Sequence, residues 1–356
     1  MSHNFPAIDS SLTCVSSAIC VATGEGVPPI CSKVKFIQSR VKIDIERLSI
    51  KHCSDVAGRA PLDGDTGDDR MPFVTNGGVR LHWQERGQGT PILLIMGHRY
   101  SSAMWYPISE AFSDRYRLIS FDNQGTGESG ARKRTSVAEM VSDALAVLDA
   151  AGVDSAHVYG VSMGGGLALE FGIRYPNRVR SLILGCTMAK TPDIKRGPKW
   201  LLTLIYRLSP LLKGLASKTA KKAYGDAAPD DRIARDMAML ANDAFDMDGV
   251  IAQGHAISDY SVEADTVRSV TKPTLVLHGV QDHVVPYEAG RRLSELLPNA
   301  RLVTLEGVGH NYFVGAGERA NAEVERFIAE VEGGPMPYAA NTAGEMPRPK
   351  QLLSRD

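Results

Sequence analysis

Long apolar runs are missing from this 356-residue chain: none approaches the eighteen or so residues that a membrane-spanning helix requires. Charge of one sign is missing too. The net charge is -1, so no overall field draws the molecule to nucleic acid or anionic lipid. Cysteine is scarce, and four of the five (Cys14, Cys20, Cys31 and Cys53) lie ahead of residue 54. That leaves Cys186 alone in the remainder, which therefore reads as independent of disulfides, and the five form no metal-ligand spacing. A signal peptide is not evident: residues 11–30 are mildly apolar, but no basic segment precedes them and serines and glycines interrupt them. By default the expected location is cytoplasmic. The rest of the composition, 43% hydrophobic and 23% charged, is that of an ordinary folded protein with one large domain or two modest ones.

Residues 1–70 differ from the rest of the chain. "APLDGDTGDDR" is acidic and poor in apolar residues, and a fold built from this segment alone has little to bury. Two readings stand, an appended flexible segment or an over-extended start with Met71 opening the folded body. From Met71 the text becomes regular. "GVRLHWQERG" alternates as a hairpin strand does, and "PILLIMG" is a continuous run suited to a strand covered on both faces. Helical and strand patterns then alternate through "YRLISFD", "HVYGVS" and "VRSLILGC", which predicts an α/β fold with a mostly parallel central sheet and helices on both faces. Residues 187–267 break the alternation with helical pieces, including "DDRIARDMAMLANDAF", and read as a helical cap inserted between two late strands. The core is thus expected over 71–186 and 268–333, with a loose tail over 334–356.

Ligands meet a parallel sheet at the carboxyl ends of its strands. One such end is "YGVSMGGG", where Ser162 has small residues two positions away on both sides. These permit a sharp strand-to-helix turn that projects the hydroxyl, and the helix behind it aims free N–H groups at the same place. The Met163 N–H is then a natural oxyanion donor. A serine needs a base, and the base needs an orienting carboxylate. His310 in "LEGVGHNYF" follows the last strand, and Asp282 in "VLHGVQDHVVP" follows the one before it. Each alone is as well explained by a local turn; the order Ser162, Asp282, His310 is the order this architecture requires. The loop after "PILLIMG" offers the His98 N–H as a second oxyanion donor, and the His98 ring either contacts substrate or packs.

The stretches "LLIMGHRYSSAMW", "SFDNQGTGES", "YGVSMGGG", "VLHGVQDHVVP" and "VGHNYF", in that order, make residues 71–333 resemble the capped α/β-hydrolases with a Ser–His–Asp triad. The resemblance implies Ser162 as nucleophile, Asp282 as acid, His310 as base, and the His98 and Met163 N–H groups as oxyanion hole. It implies a structural role for the turn at Asp122, Gly125 and Gly127. The chain departs from the family in carrying Gln124 and Thr126 where Arg or His is usual, and Met96-Gly97 for His-Gly.

The expected activity is hydrolysis of a small or medium hydrophobic ester or lactone, with no metal or organic cofactor. The alternatives are carbon–carbon bond hydrolysis of diketone acids, or non-hydrolytic binding or cyclisation in the same cavity. "KWLLTLIYRLSPLLKGLA" is expected as a lid helix whose apolar side faces the cleft, or as glue between cap and body through Trp200, Leu201, Leu204 and Ile205. An interfacial lipid enzyme is a further reading, because basic and apolar positions coexist there. No phosphate-loop spacing or lysine supports nucleotide binding.

Overall fold

Eight strands form one sheet in the order β1-β2-β4-β3-β5-β6-β7-β8. They are β1 (Phe73–Asn76), β2 (Val79–Arg86), β3 (Thr90–Ile95), β4 (Tyr116–Phe121), β5 (Ala156–Val161), β6 (Val179–Gly185), β7 (Thr274–Gly279) and β8 (Ala300–Leu305). The pairs β1–β2 and β2–β4 are antiparallel and the others parallel. This computed structural model describes residues 73–189, 199–208 and 221–333. The expectations for residues 1–70 and 334–356 fall outside those residues, as does the part of the lid stretch beyond Leu208.

The two-residue period of β3 divides its apolar side chains between two cores. Leu93 and Ile95 join Met140, Val141, Leu167 and Phe171 on one face. Ile92 and Leu94 join Trp105, Phe112 and Phe327 on the other. The helices that carry these residues include α1 (Tyr106–Phe112), α2 (Val137–Ala150) and α3 (Met163–Arg174). Each fully buried Leu, Ile or Phe contributes roughly 1.5–3 kcal/mol from the area removed from water. The double coverage explains why the parallel strands read as unbroken apolar runs. Ser136 caps the start of α2 by accepting a hydrogen bond from the Glu139 N–H, and its hydroxyl donates to the Glu139 carboxylate.

Between β6 and β7 the described residues form α4 (Lys199–Leu208), α5 (Asp230–Asn242), α6 (Met247–Ser258) and α7 (Ala264–Arg268). After β7 come α8 (Tyr287–Leu296), β8, the short α9 (Tyr312–Gly315) and α10 (Gly317–Glu332). The helical pattern expected through Phe245 stops at Asn242. Phe245 instead forms an isolated antiparallel bridge with Thr126. Its neighbours satisfy the 125–127 turn, with Gly127 N–H donating to Ala244 O (2.8 Å) and Asp246 N–H to Gly125 O (2.9 Å). Partners on the 125–127 turn replace one more helical turn.

The lid helix is a second correction. Trp200 (65% exposed), Leu201, Leu204 and Leu208 of α4 face solvent, not the cleft or the body, while the Ile205 side chain lies outside what the structure describes. The helix's described inward apolar contact is Tyr206, packed on Val250 and Ile251 of α6 and tilted against the His98 ring at 5.4 Å. No described helix is long and apolar enough to cross a membrane.

Candidate active site

Register places the site. Ile95 of β3 pairs with Gly160 of β5, Val161 with Gly185 of β6, and Gly279 of β7 with Leu305 of β8. The strands therefore end level, and His98, Ser162, Asp282 and His310 all stand just past them.

Ser162 adopts φ 54°, ψ -122°, a conformation that costs a non-glycine residue on the order of 1–3 kcal/mol. The turn is pinned from several sides: Ser162 N–H donates to Gly185 O (2.8 Å), and Ser162 O accepts from Gly165 N–H and from Thr187 Oγ1 (2.7 Å). The surrounding glycines are a matter of space. A Cβ on Gly160 would run into the Gly164 carbonyl, and one on Gly164 into the Ile95 carbonyl. Helix α3 thus starts against β3 and β5 at backbone contact, which only glycine permits.

His310 Nδ1 lies 2.8 Å from Asp282 Oδ2. Since the carboxylate accepts, Nδ1 carries the hydrogen and Nε2 is left as the base. Asp282 is in turn fixed by Val284 and Val285 N–H groups, both 2.8 Å from Oδ1. Burial alone would raise its pKa; the charge of His310 and hydrogen bonds from His278 and His310 outweigh it, so the carboxyl lies well below its usual range. Asp282 is held as a carboxylate where it faces His310.

Cys186 Sγ and His278 also approach Asp282. The Asp282 oxygens are already engaged, however, and His278 Nε2 donates to Val285 O (2.9 Å). Burial, followed by the charge of Asp282, pushes the Cys186 thiol well up. The cluster is accounted for by internal bonds of the loop carrying Asp282.

Ser162 and His310 border one cleft of about 720 Å³, counting the space at its open mouth. Met104, Leu240, Val284 and Phe313 supply apolar wall, and Asp236 and Asn311 are among its polar residues. The Ser162 hydroxyl and the His310 ring are not directly hydrogen-bonded; such contacts often tighten only with substrate. Neither the His98 nor the Met163 N–H donates to another described group, which leaves both available to a bound oxyanion. The His98 ring packs and contributes to the wall: Nε2 donates to Val250 O of α6 (2.9 Å), and burial lowers its pKa to about 4, partly opposed by that bond.

The turn at Asp122 is structural. Its carboxylate accepts from Ser102 N–H (2.8 Å), Ser102 Oγ (2.7 Å), Glu128 N–H (2.9 Å) and the His82 ring (3.0 Å). Gln124 makes Oε1 an acceptor for Arg132 N–H (2.7 Å), while its backbone carbonyl accepts from Gln253 Nε2 (2.7 Å). Gln253 and Asp236, both buried in the cap, are residues that sequence reasoning missed. Gln253 left a faint signal as the lone polar residue amid the apolar "GVIAQG"; Asp236 left none in an acid-rich helix.

The family profile described as the alpha/beta hydrolase fold matches residues 90–316. The chain belongs to that family, with a helical cap. Among known proteins it is similar to a 2-hydroxymuconate semialdehyde hydrolase of Pseudomonas putida, 30% identical over 264 residues, covering 72% of this chain and 92% of that protein. It is also similar to an Azorhizobium caulinodans protein named as a carbamate hydrolase, 28% identical and covering 74% of this chain and 100% of that one. Among solved structures, the enol-lactonase of Burkholderia xenovorans shares the fold with a TM-score of 0.63 at 22% identity, over 72% of this chain and 100% of that one.

Proposed function

We propose that the protein is a serine hydrolase that cleaves a small or medium hydrophobic carboxylic ester or lactone through an acyl-enzyme. One observation carries the reading: Ser162, held in a strained turn, borders the same cleft as a His310 whose Nδ1 hydrogen is committed to Asp282. Ser162 Oγ attacks the substrate carbonyl carbon as His310 Nε2 takes its proton. The His98 and Met163 N–H groups hold the resulting oxyanion, a service worth about 3–4 kcal/mol per donor in comparable sites. His310 returns the proton to the departing alcohol. It then deprotonates water, which releases the acid and restores the Ser162 hydroxyl. Asp282 fixes the imidazole tautomer and offsets the imidazolium charge. The apolar wall favours a hydrophobic substrate, and none of these steps draws on a metal or organic cofactor.

The similarity to the Pseudomonas putida hydrolase favours a second reading, carbon–carbon cleavage of a diketone acid by the same residues. The test is labelling of the full chain by a serine-directed phosphonate, beside turnover of short and medium esters, a lactone and a vinylogous diketone acid. One adduct per chain is expected, with labelling and turnover abolished in Ser162→Ala, turnover by about 10⁴-fold or more. Folded wild-type protein that neither labels nor turns over any acyl substrate would overturn the proposal. Preference for the diketone acid over plain esters would select the second reading.

A further inference from the structure

Among the described residues bordering the cleft, Asp236 is the only acid, and neither lysine nor arginine borders it. Asp236 comes from α5 and is fully buried. Its Oδ1 accepts from the Tyr106 hydroxyl (3.2 Å) and its Oδ2 from the Tyr224 hydroxyl (2.7 Å). Asn311, the cleft residue beside His310, is tied to the same segment, its N–H donating to Ala223 O (2.9 Å) next to Tyr224. Both phenol hydrogens are therefore spent on Asp236, which is held in place as an acceptor at the cleft wall.

The cations near the wall are turned to other work. Arg235 pairs with Glu110 on the exposed side and stacks over the Tyr106 ring at 4.6 Å. The Arg99 guanidinium lies over the rings of Phe245 (4.5 Å) and Tyr100 (5.6 Å). His98 adds no positive charge at neutral pH, because its Nε2 hydrogen is given to Val250 O and burial keeps the ring neutral.

We propose that the cleft selects uncharged substrates and that Asp236 is the specificity-determining residue that turns carboxylate-bearing ones away. In so far as the substrate is an ester, this rests on the function proposed above; the selection of charge does not. A substrate carboxylate entering here loses water, meets no lysine or arginine on the described cleft wall and faces a like charge across a poorly screened wall. At an effective dielectric near 20, like charges about 8 Å apart weaken binding roughly thirtyfold. The same selection counts against the diketone-acid reading.

The test measures binding rather than turnover, in full-length Ser162→Ala, so that a failed hydrolase reading and a failed selection remain distinguishable. Two matched pairs carry the terminal charge on either side of the ester: methyl hexanoate against monomethyl adipate, and pentyl acetate against 5-acetoxypentanoate. The carboxylate of at least one pair is expected to bind tenfold or more weaker than its neutral partner. Asp236→Asn in the same background is expected to cut that penalty to threefold or less. Should that variant not fold, Tyr224→Phe removes one donor from a retained carboxylate, and the penalty is expected to grow. No penalty in either pair, a penalty undiminished by Asp236→Asn, or one that shrinks in Tyr224→Phe would overturn the proposal. So would neutral esters that do not bind, because the cleft would then not be the substrate site.

Discussion

Helices α4 and α6 pack against one another in the cap, yet the sheet treats them oppositely. Helix α6 is stitched to the loops at the sheet's carboxyl end. His98 Nε2 donates to Val250 O, Arg99 N–H to Gln253 Oε1 (3.1 Å), and Gln253 Nε2 to Gln124 O. Just upstream of α6, Asp243 takes the Ser101 N–H (2.9 Å) and hydroxyl. Helix α4 reaches the body at one described side chain, Tyr206, which packs on α6 and on the His98 ring (centroids 5.4 Å apart), and its other described apolar residues face outward. The contrast separates two jobs usually given to one cap. One layer is continuous with the machinery around Ser162, and the other is an outer layer whose described solvent-facing side chains, apart from the inward Tyr206, are free of the site.

The seam under α6 is where that comparison breaks most readily. Gly125, at φ +84°, and Gly249 meet at backbone contact: a Cβ on Gly249 would lie 2.7 Å from Gly125 Cα and 2.9 Å from Ala131 Cβ. Only backbone movement makes room. Gly249→Val is therefore expected to cost about 3 kcal/mol in urea unfolding. A parallel fall of at least tenfold in kcat/KM is expected, because Val250 O positions His98. A loss below about 1 kcal/mol would mean that α6 rides loosely and that the two helices are held more alike than their contacts imply.

Acid sharpens the comparison, because His98 is part of the seam while His157 is buried inside the sheet. Burial lowers both to about 4, opposed for His98 by the Val250 bond and for His157 chiefly by Glu332. The folded pKa lies below the unfolded value near 6.5, so the unfolded chain takes up these protons first. The stability each contributes is complete above about pH 6.5 and is lost as the pH falls through about 4, at most about 3 kcal/mol apiece. Asp282 and Asp122, whose pKa values are lowered, add their loss only below the ordinary carboxylate range. Asp236 and Asp243, whose pKa values burial raises, act in the opposite sense as the pH falls, and His98→Gln should visibly shrink the pH-dependent loss seen by urea unfolding between about pH 6.5 and 4.5. An unchanged loss would place His98 outside the seam.

The sequence disclosed as much of the molecule as its signals can reach. The sheet was legible because its strands are covered on both faces and so appear as unbroken apolar runs such as "ILLI". The turn at Ser162 was legible because close backbone approach demands glycine at fixed offsets. The cap's helices were legible as helices, but their orientation was not: periodicity tells which residues share a face, and nothing local tells where that face turns. Gln253 meets Gln124 across 129 positions, and Asp236 meets Tyr106 across 130. Neither partner carries a mark of the other. Phe245 shows the same limit, since a bridge to Thr126 overrode a local helical preference.

The smallest effect is expected where the comparison predicts indifference. Trp200 and Leu204 lie on α4 and are 65% and 43% exposed. A side chain that stays in water in the folded state gains little from folding, so its replacement by a polar residue of similar length forfeits little burial. Trp200→Gln and Leu204→Gln, singly or together, are expected to change unfolding free energy by less than about 0.5 kcal/mol. For a soluble ester, kcat/KM should move less than twofold. A loss above about 1 kcal/mol would show that this face rests on other parts of the protein. A change in KM alone would bring α4 back to the cleft, and the division between an inner, docked layer and an outer, indifferent one would have to be redrawn.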